Sequence, residues 1–133
     1  MTTTPDALAL RVENDIVACR QAVRRLTLAL KFSLVDQTRM ITAASELARN
    51  TLVYGGGGEM RWALLQRAAR AGLQLDFEDQ GPGIPDLDLA LMDGWTSGAG
   101  MGLGLSGSKR LVHDFVIRSA VGEGTCVTIT RWS

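Results

Sequence analysis

Ile16, Val17, Cys19, Val23, Leu26 and Leu30 recur at helical spacing, and Arg20, Arg24, Arg25 and Lys31 fill much of the space between them. That pattern predicts a helix over residues 16–30 with one apolar and one basic side. Upstream, residues 8–13 alternate weakly and read as a short first strand, with Asn14 or Asp15 available to cap the helix that follows. Residues 32–35 break the pattern. Asp36 then reads as the cap of a second helix running to about residue 54. The run Gly55-Gly-Gly-Gly58 stops it, because glycine offers a left-handed cap and little helical preference.

Two strands are expected next, at 59–67 and at 73–79, the second with clean alternation and Gly72 marking the turn between them. A tight loop follows at 80–85, a short helix at 86–92, a glycine-rich loop at 94–104 and a third helix at 105–113. Strands at 115–120 and 125–132, joined by Gly122-Glu-Gly124, close the chain. This order predicts one α+β domain over residues 1–133: a mixed sheet with helices on one face, not a doubly wound parallel sheet.

Composition narrows the function classes. Fourteen Lys and Arg balance fourteen Asp and Glu, which argues against nucleic acid or an anionic membrane as the main partner. No apolar run approaches the roughly 18 residues of a membrane span. The opening Met1-Thr-Thr-Thr-Pro5-Asp6 lacks the features of a secretory signal, and Cys19 and Cys126 are single and distant, so a reducing cytoplasm is the expected setting. Fifteen glycines are the unusual count, and their placement carries the information.

Glu46 and Asn50 lie one turn apart on the second helix, at the flank of the stripe formed by Met40, Ala44, Leu47 and Thr51. An amide oxygen is a hard ligand suited to Mg²⁺, and a carboxylate can take a proton from a hydroxyl; a solvated helix edge is the plain alternative. Asp79 shares parity with Leu73, Leu75 and Phe77, so it points to the core side of its strand. There it can accept from a ligand's amino group, or cap its own turn. Thr125 shares parity with Val127 and Ile129 and faces the same way. Gly98-Ala-Gly100-Met-Gly102-Leu-Gly104-Leu105 alternates glycines into a helix start, a pattern that can present N–H groups to phosphate. Its formal match to a dinucleotide fingerprint fails because no strand precedes it.

Taken in order, Glu46-x-x-x-Asn50, Asp79-x-Gly81-x-Gly83, Gly100-x-Gly102-x-Gly104 and Gly124-Thr125 resemble the N, G1 and G2 boxes and closing Gly-Thr of the GHKL ATPase superfamily. That superfamily joins histidine kinases, gyrase B, Hsp90, MutL and the anti-sigma-factor kinases. The strings around Asn50 and Asp79, with Gly-Ser-Lys-Arg-Leu111 and Gly-Glu-Gly-Thr125, are similar to the RsbT-type switch kinases. The resemblance implies the Bergerat two-layer α/β sandwich and an ATP- and Mg²⁺-dependent protein serine/threonine kinase of a partner-switching stress pathway. It implies that Asp79 binds the adenine amino group beside Thr125, that Asn50 holds Mg²⁺, and that Glu46 polarises the attacking hydroxyl. Gly81 and Gly83 would shape the adenine floor. Gly98, Gly100, Gly102, Gly104 and Leu105 would form the lid and phosphate end. The implied partners are STAS-domain substrates and a PP2C-type phosphatase. The rival reading is an anti-sigma factor or other non-catalytic binding module in which nucleotide acts as a conformational ligand.

Overall fold

A computed structural model describes residues 6–92 and 104–133. Strand β1 (Ala7–Leu10) leads into helix α1 (Asn14–Ala29) and helix α2 (Leu34–Arg49), which runs on through a π-helical turn (Asn50–Tyr54). Strands β2 (Gly58–Arg67) and β3 (Arg70–Asp79) form a hairpin. The short helices α3 (Leu87–Ala90) and α4 (Leu105–Arg110) precede a second hairpin, β4 (Asp114–Ala120) and β5 (Gly124–Trp132). The five strands lie in the order β1-β2-β3-β5-β4.

The layered α+β architecture is as the sequence predicts, but the sheet is antiparallel at every described pairing instead of mixed. The α1–α2 pair brings the chain back to the end of the sheet it left, so β2 returns antiparallel to β1. The passage from β3 to β4 delivers a strand parallel to β3, yet β5 inserts between the two and pairs antiparallel with both.

One sheet face is apolar. Met60, Leu73, Leu75, Phe77, Val127 and Ile129 are buried there against Cys19, Val23, Met40, Ala44 and Leu47 of the helices. The opposite face carries polar pairs: Arg61 with Glu59 (2.7 Å) and Glu78 (2.9 Å), and Thr128 with Asp76 (2.5 Å). Cys19 is sealed in the core, and burial pushes its thiol up to about 12. Cys126 is also a free thiol.

Three local readings change. Ser33, not Asp36, caps α2: its hydroxyl accepts the Asp36 N–H at 3.1 Å. Asp36 sits in the first turn, where its carboxylate takes the Arg131 guanidinium at 2.5 Å. The β2–β3 turn falls at Ala68, with φ of 51°, and Gly72 lies inside β3. A Cβ on Gly72 would stand 2.7 Å from the Trp132 ring, so glycine there makes room for packing, not for a turn. That ring is covered from above by the Arg67 guanidinium, 4.4 Å from its centre. Finally, α4 ends at Arg110, short of His113. His113 Nδ1 accepts the Trp132 N–H at 3.0 Å, a bond that needs an unprotonated Nδ1, and burial holds its pKa below the usual value.

Candidate functional site

Asp79 closes β3, with Gly58 opposite on one side and Thr125 on the other. Only 7% of it is exposed. Its Oδ1 accepts the Gly81 N–H at 2.8 Å, and the Thr125 N–H also bonds the carboxylate. Burial pushes its pKa up, the two N–H groups pull it down, and Glu78 adds to the rise. The turn-capping reading of Asp79 therefore holds, and the acid is buried on the core side as its parity predicts. It caps its own turn with one oxygen, and the turn aims the rest of the carboxylate inward.

Glycines build the cradle around it. Gly55 has ordinary helical angles, yet a Cβ there would stand 2.3 Å from the Asp79 carboxyl carbon. Gly81 packs on the Gly55 backbone, where a Cβ would meet atoms at 2.7 Å. Gly124, at φ of 82°, lies against the Asp79 carbonyl, with 2.2 Å left for a Cβ. The tetraglycine run thus does more than stop a helix. Gly56 and Gly57 turn the chain at positive φ, while Gly55 lets the backbone approach the acid.

A narrow, largely filled cleft with about 20 Å³ of free space opens from Asp79 between the sheet and the end of α2. Its walls are Leu47, Asn50, Thr51, Tyr54, Phe77, Ile84, Leu105, Thr125 and Val127. Apolar walls with a few polar groups at one end are the usual lining of a small-molecule site. On the outer side of the Asp79–Thr125 pair lies an open depression with Glu78, Arg118 and Glu123 along it, which has no such walls. Asn50 stands where α2 passes from α to π geometry, its carbonyl accepting the Gly55 N–H at 2.9 Å. Tyr54, the next turn, reaches the cleft as its spacing from Asn50 suggests, and its hydroxyl donates to the Gly83 carbonyl at 3.1 Å.

The structure brings Asn50, Asp79, Leu105 and Thr125 to one cleft. Glu46 is not in the wall of that cleft. It borders a groove of about 590 Å³ with Thr42, Gly104, Gly107, Ser108, Arg110 and Leu111. Gly104 has φ of 63°, and a Cβ on it would stand 2.6 Å from the Glu46 carboxylate. A second depression shares Thr42 and Glu46 with Arg20, Ile41 and Ser45. Gly83 sits below the cleft, not in its wall: it packs on the Ala120 carbonyl at the β4–β5 turn. Gly98, Gly100 and Gly102 lie outside the described residues.

Two residues escaped the sequence reading. Ile84 forms part of the cleft wall. Ser119, opposite Thr125 on β4, accepts the Ile84 N–H at 2.7 Å and lies 2.8 Å from the Thr125 hydroxyl. Its parity with Phe115 and Ile117 marks an inward polar side chain among apolar ones, the same signal that singled out Asp79.

Comparisons with known proteins agree with this geometry. Residues 35–132 match the family described as histidine kinase-, DNA gyrase B-, and HSP90-like ATPase. The chain is 43% identical over 123 residues to serine/threonine-protein kinase RsbT of Bacillus subtilis (strain 168), covering 92% of each chain. Among solved structures it resembles the catalytic domain of histidine kinase ThkA in two nucleotide-free forms. One gives a TM-score of 0.51 at 14% identity over 86% of this chain and 90% of that one. The other gives 0.51 at 15% identity over 98% of each. The chain belongs to the histidine kinase-, DNA gyrase B- and HSP90-like ATPase family, within its branch of RsbT-type serine/threonine-protein kinases.

Proposed function

We propose that this serine/threonine-protein kinase transfers the terminal phosphoryl group of ATP to a hydroxyl on a STAS-domain partner, as one arm of a partner switch that also governs a PP2C-type phosphatase. The observation that carries the reading is Asp79: an inward carboxylate beside Thr125, at the polar end of an apolar cleft that Asn50 and Leu105 border. The carboxylate accepts from the adenine amino group. Phe77, Ile84 and Val127 enclose the purine, and Gly81 and Gly83 hold the loop beneath it.

Among the described residues no three His, Cys, Asp or Glu side chains converge on one point. Asn50 would hold Mg²⁺ through its amide oxygen, a hard donor suited to that ion. The chemistry supplied at Asn50 would be neutralisation of phosphate charge. Phosphoryl transfer is mostly positioning and charge stabilisation, so little covalent chemistry falls to the protein. Glu46, across Gly104 in the α2–α4 groove, takes the acceptor hydroxyl's proton; a positioned base contributes about 10²–10⁴ in rate. The Gly104 to Leu105 turn, with Gly98, Gly100 and Gly102 before it, holds the phosphate end.

The test is labelled ATP and Mg²⁺ with a panel of STAS proteins, followed by mapping of the phosphorylated residue. Asp79→Asn is expected to abolish nucleotide binding, and Glu46→Ala to keep binding while losing transfer. Nucleotide binding with no transfer to any panel member favours the non-catalytic rival. Normal transfer by Glu46→Ala removes the base assignment.

A further inference from the structure

Ser119 stands behind Thr125, on the outer side of the cleft's polar end, and neither the family boxes nor the chemistry above uses it. It joins three segments. Its Oγ accepts the Ile84 N–H at 2.7 Å, lies 3.0 Å from the Gly124 carbonyl and lies 2.8 Å from Thr125 Oγ1. A hydroxyl has one proton and two lone pairs. The Ile84 N–H takes one lone pair. The Gly124 carbonyl can only accept, so it takes the proton. The second lone pair is then left for Thr125, whose own proton must point at Ser119. All of Ser119's capacity is used, and the Gly124 carbonyl is satisfied. The opposite assignment, with Ser119 donating to Thr125, leaves that carbonyl without this donor and strands a lone pair.

The consequence lies in the cleft. With its proton turned toward Ser119, Thr125 Oγ1 presents only lone pairs to a ligand. Asp79, ionised, is also an acceptor, with two N–H groups already on it. Two acceptors then stand side by side at the end of the cleft. A 6-aminopurine offers two N–H donors to that pair, directly or through a water. A 6-oxopurine offers a carbonyl oxygen, which both repel. We propose that Ser119 is a positioning residue for purine specificity: it orients the Thr125 hydroxyl so that the site accepts a 6-amino group and rejects a 6-oxo group. This rests on the reading of the cleft as the nucleotide site.

The test compares ATP with inosine triphosphate, which differs from it only at the 6-position and the adjoining N1–H. Binding is measured with Mg²⁺, by calorimetry for ATP and by competition for inosine triphosphate, on wild type, Ser119→Ala, Ser119→Thr, Thr125→Val and the Ser119→Ala/Thr125→Val double variant. Ser119 also anchors the loop at Ile84, and losing that anchor weakens both nucleotides alike; only the ratio of affinities reports on the hydroxyl. In Ser119→Ala the ratio is expected to fall about tenfold, the scale of one hydrogen bond. Ser119→Thr restores it. Thr125→Val lowers the ratio too, and the double variant is no worse than the single ones, because the two hydroxyls act as one unit. Should Ser119→Ala fail to fold, Thr125→Val against Ser119→Thr carries the comparison. An unchanged ratio in the alanine and valine variants, with ATP binding intact in wild type, overturns the role of Ser119 alone. Absence of ATP binding in wild type overturns the nucleotide reading and this inference with it.

Discussion

Replacing Gly55 with alanine is the sharpest steric probe of the site. Gly55 has φ of −81° and ψ of −12°, angles that any residue adopts, so the substitution costs nothing in the backbone. By restricting the unfolded chain it would stabilise a neutral site by about 0.4–1 kcal/mol. Its Cβ, however, would stand 2.3 Å from the Asp79 carboxyl carbon and 2.5 Å from Oδ2. Ordinary contact begins near 3.4 Å, so Asp79 must retreat by about 1 Å. That displacement breaks the 2.8 Å bond from the Gly81 N–H, a charge-assisted bond worth about 1.5–3 kcal/mol. Overpacking adds about 1–3 kcal/mol. The net expectation is a loss of about 1.5–5.5 kcal/mol in stability and at least about a hundredfold in ATP affinity, since the displaced acid is the group that reads the purine. Gly56→Ala is the control. It has φ of 77° and open space around it, so it strains the backbone by about 1–2 kcal/mol without touching Asp79. Urea denaturation gives the stabilities and calorimetry the affinities. If Gly55→Ala binds ATP as wild type does, or if Gly56→Ala loses binding to the same degree, the placement of Asp79 in the nucleotide site is wrong.

Asp79 and Asp36 should pull in opposite directions with pH. Asp79's folded pKa is raised, so its contribution to stability is full below its unfolded value and is lost as pH rises through the folded one. ATP, which needs the ionised acid, should weaken about tenfold per unit once pH falls below that raised value; flat affinity down to the ordinary carboxylate range would count against it. Asp36, bonded to Arg131, has a lowered pKa, so its stabilisation is full above the unfolded value and disappears as pH falls through the folded one. Arg131→Met leaves Asp36 and the Leu111 carbonyl without their shared partner and should cost about 3 kcal/mol, read by chemical denaturation. That loss should shrink in acid as Asp36 protonates, and a pH-independent loss would show that packing alone is at stake. Gly104→Ala adds strain at φ of 63° and a Cβ 2.6 Å from Glu46. It should slow phosphoryl transfer about 10²-fold while the stacking end of the cleft still binds adenosine, and unimpaired transfer would separate Glu46 from the chemistry.

Much of this protein was legible in one dimension. The 3.6-residue stripe of α1 and α2 and the two-residue alternation of β3 and β5 are repeated constraints, so each element is specified many times over. The same parity that buries Leu73, Leu75 and Phe77 sends Asp79 inward, and the one-turn step from Asn50 reaches Tyr54. Those are local periodicities, and local geometry suffices to read them. What stayed hidden depends on residues distant in sequence meeting in space. Nothing near Gly55 announces that Asp79 will lie against it, or near Gly72 that Trp132 will cover it. A turn at Ala68 carries no glycine to mark it. The antiparallel sheet follows from β5 slipping between β3 and β4, a choice of neighbour and not of strand. Asn50 and Glu46, adjacent on a helical wheel, border different hollows, Asn50 beside Leu105 and Glu46 beside Gly104. Side-chain pattern fixes what each segment is; which backbones approach closely enough to exclude a Cβ or share a proton is settled when the segments pack.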